Sequence, residues 1–320
     1  MYIKEPLAAV PLSSLANTSE QRLPVQGRIS RKARLAPLLR ALRPHQWAKN
    51  VLVFVPLIAA HQFLRPDLWV VSLLTFIAFS LSASGVYVLN DISDIEADRA
   101  HPRKRTRPFA AGELTAPEGF AAAAVLFAAS FSLAVIGVSW RLACVVLVYG
   151  LVTTAYSLLL KREPVLDVFV LAGLYVLRII AGGIATETPL SSWLLAFALF
   201  FFLSLAFVKR YVELVAVKAR MPGRGYGPDD ALWMHAIGTS SGYMAVLVLA
   251  LYMNAPEVAV LYHRPQVLWL LCPVLLFWLT RLWFRAGRAI IHDDPVIEAL
   301  KDPASYLLVG VASAVMLAAI

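Results

Sequence analysis

The chain has 320 residues, 60% of them hydrophobic and only 15% charged. A soluble domain carries roughly 45–50% apolar and about 25% charged residues, so that class is excluded. The net charge of +9 would suggest nucleic acid in a soluble protein. Here the basic residues sit between apolar runs, which points to anionic lipid head groups and phosphorylated substrates, with no nucleic acid.

In chain order, residues 1–37 are mixed and lack the apolar core of a signal peptide. They are expected to form a cytosolic tail, mobile up to about Arg34. Residues 38–320 are expected to form one all-α transmembrane domain. A bilayer core of roughly 30 Å needs about 20 apolar residues as helix. Nine stretches approach that length, near 47–64, 68–90, 117–138, 140–160, 164–185, 189–212, 233–254, 266–286 and 303–320. Pro56 is expected to kink the first, which is short.

Basic residues alternate between the connections. One set of ends holds Arg103, Lys104, Arg105 and Arg107, then Lys161 and Arg162, then Lys209, Arg210 and Arg224, then Arg285 and Arg288. The other set holds little beyond Arg65, Arg141 and Arg264. The positive-inside rule places the first set, and the N-terminus, in the cytosol of a cell (inner) membrane. Cys144 and Cys272 lie inside apolar runs, so neither a disulfide framework nor a zinc site is expected. Gly182-Gly183 and the small residues Ser82 to Gly85 are expected to allow close helix packing.

The second stretch ends in Asn90-Asp91-Ile92-Ser93-Asp94-Ile95-Glu96-Ala97-Asp98. Asp91, Asp94 and Asp98 are spaced i, i+3, i+7 and share one helix face, with Asn90 beside it. Like charges on one stripe repel unless a cation stands between them, and hard oxygen ligands suit Mg²⁺. A solvated helix end needs no such spacing at a bilayer boundary. His101-Pro102-Arg103-Lys104-Arg105-Thr106-Arg107-Pro108 follows. Its cations read either as a topogenic loop or, beside a metal, as ligands for a diphosphate, with Lys104 and Arg107 the candidates. His45 and His101 have no partner at metal spacing, and His101 is expected only to cap its loop.

Asn90-Asp91-x-x-Asp94-x-x-x-Asp98, then His101-Pro102-x-Lys104-x-x-Arg107-Pro108, resembles the first signature of the UbiA superfamily of intramembrane transferases. The resemblance covers roughly residues 38–320. It implies nine helices around a central cavity and Mg²⁺-assisted ionisation of a diphosphate ester. Asn90, Asp91, Asp94 and Asp98 would be the metal-site and catalytic residues.

Aromatic prenyltransferases of that superfamily carry a second Asp-rich motif after the sixth helix. This chain instead reads Lys209-Arg210-Tyr211-Val212-Glu213. With Arg43, Lys49 and Asn50 at the first stretch, Tyr156 and Lys161 at the fourth, and Asp167 and Arg178 in the fifth, it is similar to the decaprenyl-phosphate phosphoribosyltransferase branch. Some relatives with these motifs are fused to a phosphatase-like domain of the HAD type, and none is expected here. The resemblance implies transfer of a 5-phosphoribosyl group from phosphoribosyl diphosphate to a polyprenyl (decaprenyl) phosphate. Lys49, Lys104, Lys161, Lys209 and Arg210 would then meet the donor's phosphates. Each also has a snorkelling reading. Tyr156 and Tyr211 read as aromatic-belt residues or phosphate donors. Arg178 lies deep in its span and reads as a partner of an interior carboxylate, as a contact to lipid phosphate or as a brace for the site. Asp167 reads as that partner or as a positioning residue. The rivals are a prenyltransferase using polyprenyl diphosphate with an aromatic acceptor, and a transporter with Asp94 and Arg178 on an ion path. Oligomeric state is not legible.

Overall fold

Proline and short polar caps open most of the helices in this computed structural model, which describes residues 31–217, 221, 224–291, 295–299 and 301–320. Helix α1 (Arg31–Leu42) begins inside the predicted tail, and residues 1–30 lie outside the described residues. A 3₁₀ helix over Pro44–Phe54 runs directly into α2 (Val55–Ala59). Pro56 stands in the first turn of α2, where its missing N–H costs nothing. It therefore starts a new helix, and the predicted span over 47–64 is two short elements.

The bundle proper follows. It comprises α3 (Pro66–Ser93), the short α4 (Ile95–Ala100), α5 (Ala116–Gly137), α6 (Trp140–Leu158), α7 (Leu166–Ala185), α8 (Ser192–Val217) and α9 (Asp230–Tyr252). Then come α10 (Pro256–Leu261), a 3₁₀ turn over Pro265–Leu270 continuing into α11 (Leu271–Gly287), α12 (Pro295–Ala299) and α13 (Pro303–Ala319). No strand occurs among the described residues. Caps explain several starts. Thr115 and Glu118 form a reciprocal capping box on α5, Ser139 accepts from Leu142 N on α6, and Asp302 accepts from Ser305 N on α13.

Seven helices among the described residues are long and apolar enough to cross a bilayer. The first and last of the nine predicted stretches fall short, the last being the 17-residue α13. Apolar side chains cover the outside as well as the inside. Val125 and Ile136 on α5 and Leu307 and Leu317 on α13 are all well exposed. That is a surface meant for hydrocarbon, with backbone polar groups satisfied within helices.

α7 stands between two buried clusters. One joins it to α8, α9 and α11 through Phe202, Phe207, Met234 and Trp283. The other joins it to α3 and α6 through Phe79, Leu142 and Tyr149. The expected close packing occurs at Gly182, where an added Cβ would stand 2.0 Å from the Val53 carbonyl oxygen. Gly182→Ala is expected to destabilise by about 1–3 kcal/mol, the usual range for overpacking. Gly173→Ala, where a Cβ meets nothing within 4 Å, is the control. Equal melting temperatures for the two in detergent would contradict this packing.

Candidate active site at the charged mouth

α3 carries Asn90 and Asp91 in its last turn and ends at Ser93, and α4 resumes after Asp94, whose backbone leaves the helical region at φ −100°, ψ 10°. The chain keeps its helical ladder across this joint, with Asp94 N bonded to Asn90 O and Asp98 N to Asp94 O. Two of the carboxylates thus stay on one side. Asp91 and Asp98 are each only 2% exposed. Arg107 Nη1 donates to both, at 3.2 Å to Asp91 Oδ1 and 2.7 Å to Asp98 Oδ2. Arg43 Nη2 donates to the same Asp91 oxygen at 2.5 Å. Arg43 holds φ +52° to do so, and burial lowers its guanidinium pKa against the pull of Asp91. Asp94 faces elsewhere. Its Oδ2 accepts from Asn90 Nδ2 at 3.1 Å and lies 3.7 Å from Lys161 Nζ. Lys104 is exposed, and its backbone N–H and that of Arg103 donate to His101 Nδ1, so His101 caps the loop as expected.

The donor set suits a hard divalent ion, since carboxylates offer oxygens and a single cationic nitrogen, Arg107 Nη1, already bridges two of them. Among the described residues no three acidic, histidine or cysteine side chains gather at one point. The helix joint at Asp94 sets that carboxylate on Lys161 while Arg107 draws the other two together.

Joined to this cluster through Lys161 is a second network. Arg210 is fully buried and donates to Asp167 through Nε, to Glu213 through Nη1 at 2.5 Å, and to the Tyr156 hydroxyl through Nη2. The hydroxyl of Tyr226 donates to Asp167 Oδ1 at 2.6 Å and accepts from Val165 N at 2.7 Å. Burial and that carboxylate push the Tyr226 phenol well above its usual pKa. Arg224 reaches Glu213 at 3.6 Å and Tyr156 at 3.5 Å. Burial, together with Arg224, Arg162 and Lys104, pulls the Lys161 ammonium below the ordinary lysine value, against Asp94. Tyr211 does not join this network. Its ring packs edge-on to His235 and Trp283.

Arg178 is 6% exposed in mid-span. Among the described residues no carboxylate is hydrogen-bonded to it, which sets aside the carboxylate partner among its expected readings. Its hydrogen bonds run to Asn50 Oδ1 at 2.8 Å, the Leu174 carbonyl at 2.6 Å and the Tyr149 hydroxyl at 2.8 Å. Asn50 in turn donates to Ser80 at 3.0 Å. The arginine therefore ties the first 3₁₀ helix to α6 and α7 and keeps a net positive charge inside the bundle. Lys49 and Lys209 lie beside these groups and bear electrostatically on Tyr149 and Glu213 respectively. A separate, largely apolar cavity of about 850 Å³ opens between α8, α9, α11 and α13, lined by residues such as Phe201, Trp278 and Met316.

Sequence reasoning missed Tyr226 and did not place Arg224 or Tyr149 at the site. The signal for the first two was the glycine-spaced run Gly223-Arg224-Gly225-Tyr226-Gly227 between prolines, and Gly225 holds φ +72°. Tyr149 carried no signal, because it lies inside an uninterrupted apolar run.

A polytopic helical bundle with an aspartate-bearing, cation-rich mouth defines the class of membrane protein. The model of the UbiA prenyltransferase family matches residues 51–294, and the chain belongs to that family. It is 39% identical over 280 residues to an uncharacterised protein, y4nM, of Sinorhizobium fredii, which covers 84% of this chain. The chain spans about half (53%) of that relative's length. It is 36% identical over 279 residues to the nodulation protein NoeC of Azorhizobium caulinodans, covering 84% of this chain and 88% of that one. It is 43% identical over 185 residues to the decaprenyl-phosphate phosphoribosyltransferase of Mycobacterium tuberculosis, covering 56% of this chain and 61% of that one. A UbiA homologue of Archaeoglobus fulgidus bound to GPP and Mg²⁺ shares the fold, with a TM-score of 0.65, 18% identity, and 87% of this chain and 99% of that chain covered.

Proposed function

We propose that the protein transfers a 5-phosphoribosyl group from phosphoribosyl diphosphate to a polyprenyl phosphate, with diphosphate as the leaving group. One observation carries this reading. Opposite Asp91, Asp94 and Asp98 the mouth offers cations, and its two carboxylates are consumed by protein partners. Asp167 accepts from Arg210 and Tyr226, and Glu213 from Arg210. A second metal-binding carboxylate set, which a prenyl diphosphate donor would use, is thus absent among these residues. A donor with a further phosphate suits cations instead. The 43% identity to the Mycobacterium tuberculosis enzyme supports the same choice.

Asp91, Asp94 and Asp98, with Asn90, would hold Mg²⁺. Bound there, the ion would neutralise charge building on the departing diphosphate. Arg43 and Arg107 would exchange their carboxylate partners for diphosphate oxygens. Lys161, Lys209 and Lys104 would hold the donor at the mouth. Arg178 with Asn50 and Lys49 would keep the interior positive for the acceptor's phosphate. A phosphate oxygen attacks C1 as the C1–O bond to diphosphate breaks. That oxygen is already ionised at neutral pH, so no strong general base is required. The acceptor's tail would lie in the apolar cavity. The excess of basic residues at this mouth would set it on the cytoplasmic face of the cell membrane.

The test is mass spectrometry of lipids after purified protein is given polyprenyl phosphate, phosphoribosyl diphosphate and Mg²⁺. A product heavier by one phosphoribosyl group is expected, and its formation should stop when the divalent ion is chelated. Turnover with labelled polyprenyl diphosphate and an aromatic acceptor, and none with phosphoribosyl diphosphate, overturns the reading.

A further inference from the structure

Resting on the phosphoribosyl reading and deepening it, a further assignment concerns the connection between α8 and α9. Arg224-Gly225-Tyr226 is pinned against the start of α7. Tyr226 is 1% exposed and tied to Asp167 and Val165. A Cβ on Gly225 would stand 2.9 Å from the Pro164 ring and 3.1 Å from the Arg162 carbonyl oxygen. Arg224 is therefore held at the mouth, yet its side chain is 25% exposed.

Arg224 and Arg210 share neighbours but not circumstances. Arg210 is buried and hydrogen-bonded to Asp167, Glu213 and Tyr156. Arg224 meets the same Glu213 and Tyr156 only at 3.6 and 3.5 Å, the outer edge of a useful contact. Its charge is not needed to satisfy Glu213. It also bears on Lys161, alongside Arg162 and Lys104. Six cations in these two groups, counting Lys209 and Arg210, surround three carboxylates, Asp94, Asp167 and Glu213. A surplus of positive charge gathered in one place attracts an anion, and a phosphate monoester near neutral pH carries about −1.5 to −2.

We propose that Arg224, with Lys161, binds the 5-phosphate of the donor, next to the aspartates that would hold its diphosphate. The fork of the guanidinium suits two phosphate oxygens at once. The residue thereby selects a donor with a second phosphate over a prenyl diphosphate.

The test compares wild type with Arg224→Gln and Gly225→Ala in the full-length protein. Gly225→Ala keeps the charge but displaces it, through its positive φ and the contact with Pro164. In Arg224→Gln the KM for phosphoribosyl diphosphate and the Ki of ribose 5-phosphate are expected to rise about tenfold or more, the effect of losing one charge-assisted bond. The kcat, the KM for polyprenyl phosphate and the Ki of inorganic diphosphate are expected to stay near wild type. Gly225→Ala is expected to move the same two constants in the same direction. Unchanged ribose 5-phosphate inhibition in Arg224→Gln overturns the assignment, as does an equal rise for inorganic diphosphate. Should wild type transfer no phosphoribosyl group, the donor reading above falls. Equilibrium dialysis of ribose 5-phosphate then decides the site separately. Binding lost in Arg224→Gln supports it, and binding retained overturns it.

Discussion

Asp94→Asn is expected to abolish transfer while leaving expression and melting temperature at wild-type levels. The asymmetry follows from where Asp94 sits. Its side chain is 34% exposed, and its partners are an amide and an ammonium 3.7 Å away. An exposed pair of that kind contributes little to stability. The substitution keeps the shape and the Asn90 contact and removes only the negative charge. That charge is what a divalent ion would require there under the proposed mechanism. Loss of one preorganised electrostatic contact at a reacting centre typically costs about 10²–10³ in rate, and loss of a metal ligand acts in the same direction. Asp91→Asn is a less clean experiment, because Asp91 also anchors Arg43 and Arg107. Normal turnover by Asp94→Asn, measured on purified protein with saturating Mg²⁺, would remove the aspartate cluster from the mechanism.

Arg210→Met is expected to show the opposite pattern, with stability failing first and activity following. Arg210 and Asp167 both have 0% side-chain exposure. Removing the guanidinium strands a buried carboxylate and leaves Glu213 and Tyr156 without their main donor. Breaking a buried pair from one side costs about 3–5 kcal/mol, a large share of an ordinary domain's stability. Arg210→Lys is expected to recover little, since one ammonium cannot serve three acceptors set at the angles of a guanidinium. The measurement is thermal unfolding in detergent by tryptophan fluorescence. If Arg210→Met melts with wild type, the network is not the brace described here. Adding Asp167→Leu to Arg210→Met should restore part of the loss, because the stranded charge then disappears.

The two experiments divide the predicted site residues by role. The sequence leaves Asp167 as a partner of Arg178 or a positioning residue, and Arg210 as a phosphate contact or a snorkelling cation. In the structure Arg210 and Asp167 spend their hydrogen bonds on each other and on Glu213, Tyr156 and Tyr226. Arg178 has no carboxylate among its hydrogen-bond partners and is held by Asn50, Tyr149 and a carbonyl. Its neutral partners lie on α6, on α7 and on the first 3₁₀ helix, and no local pattern links positions 50, 149 and 178.

What the sequence determined by itself was everything governed by local spacing and by solvent preference. Long apolar runs must be helical in hydrocarbon, because their backbone groups have no other partner there. The spacing of Asp91 and Asp98 sets those two on one face, and the stretches expected from 117 and 303 begin where Pro117 and Pro303 stand in the first turns of α5 and α13. The tertiary structure alone decided which charges meet. Arg107 draws Asp91 and Asp98 together, Lys161 takes Asp94, and Tyr226 reaches back 59 residues to Asp167. A buried charge accepts whichever partner the packing brings within about 3 Å, and that choice depends on helix crossings and on one bend at Asp94. None of these is written in the order of residues along a single helix.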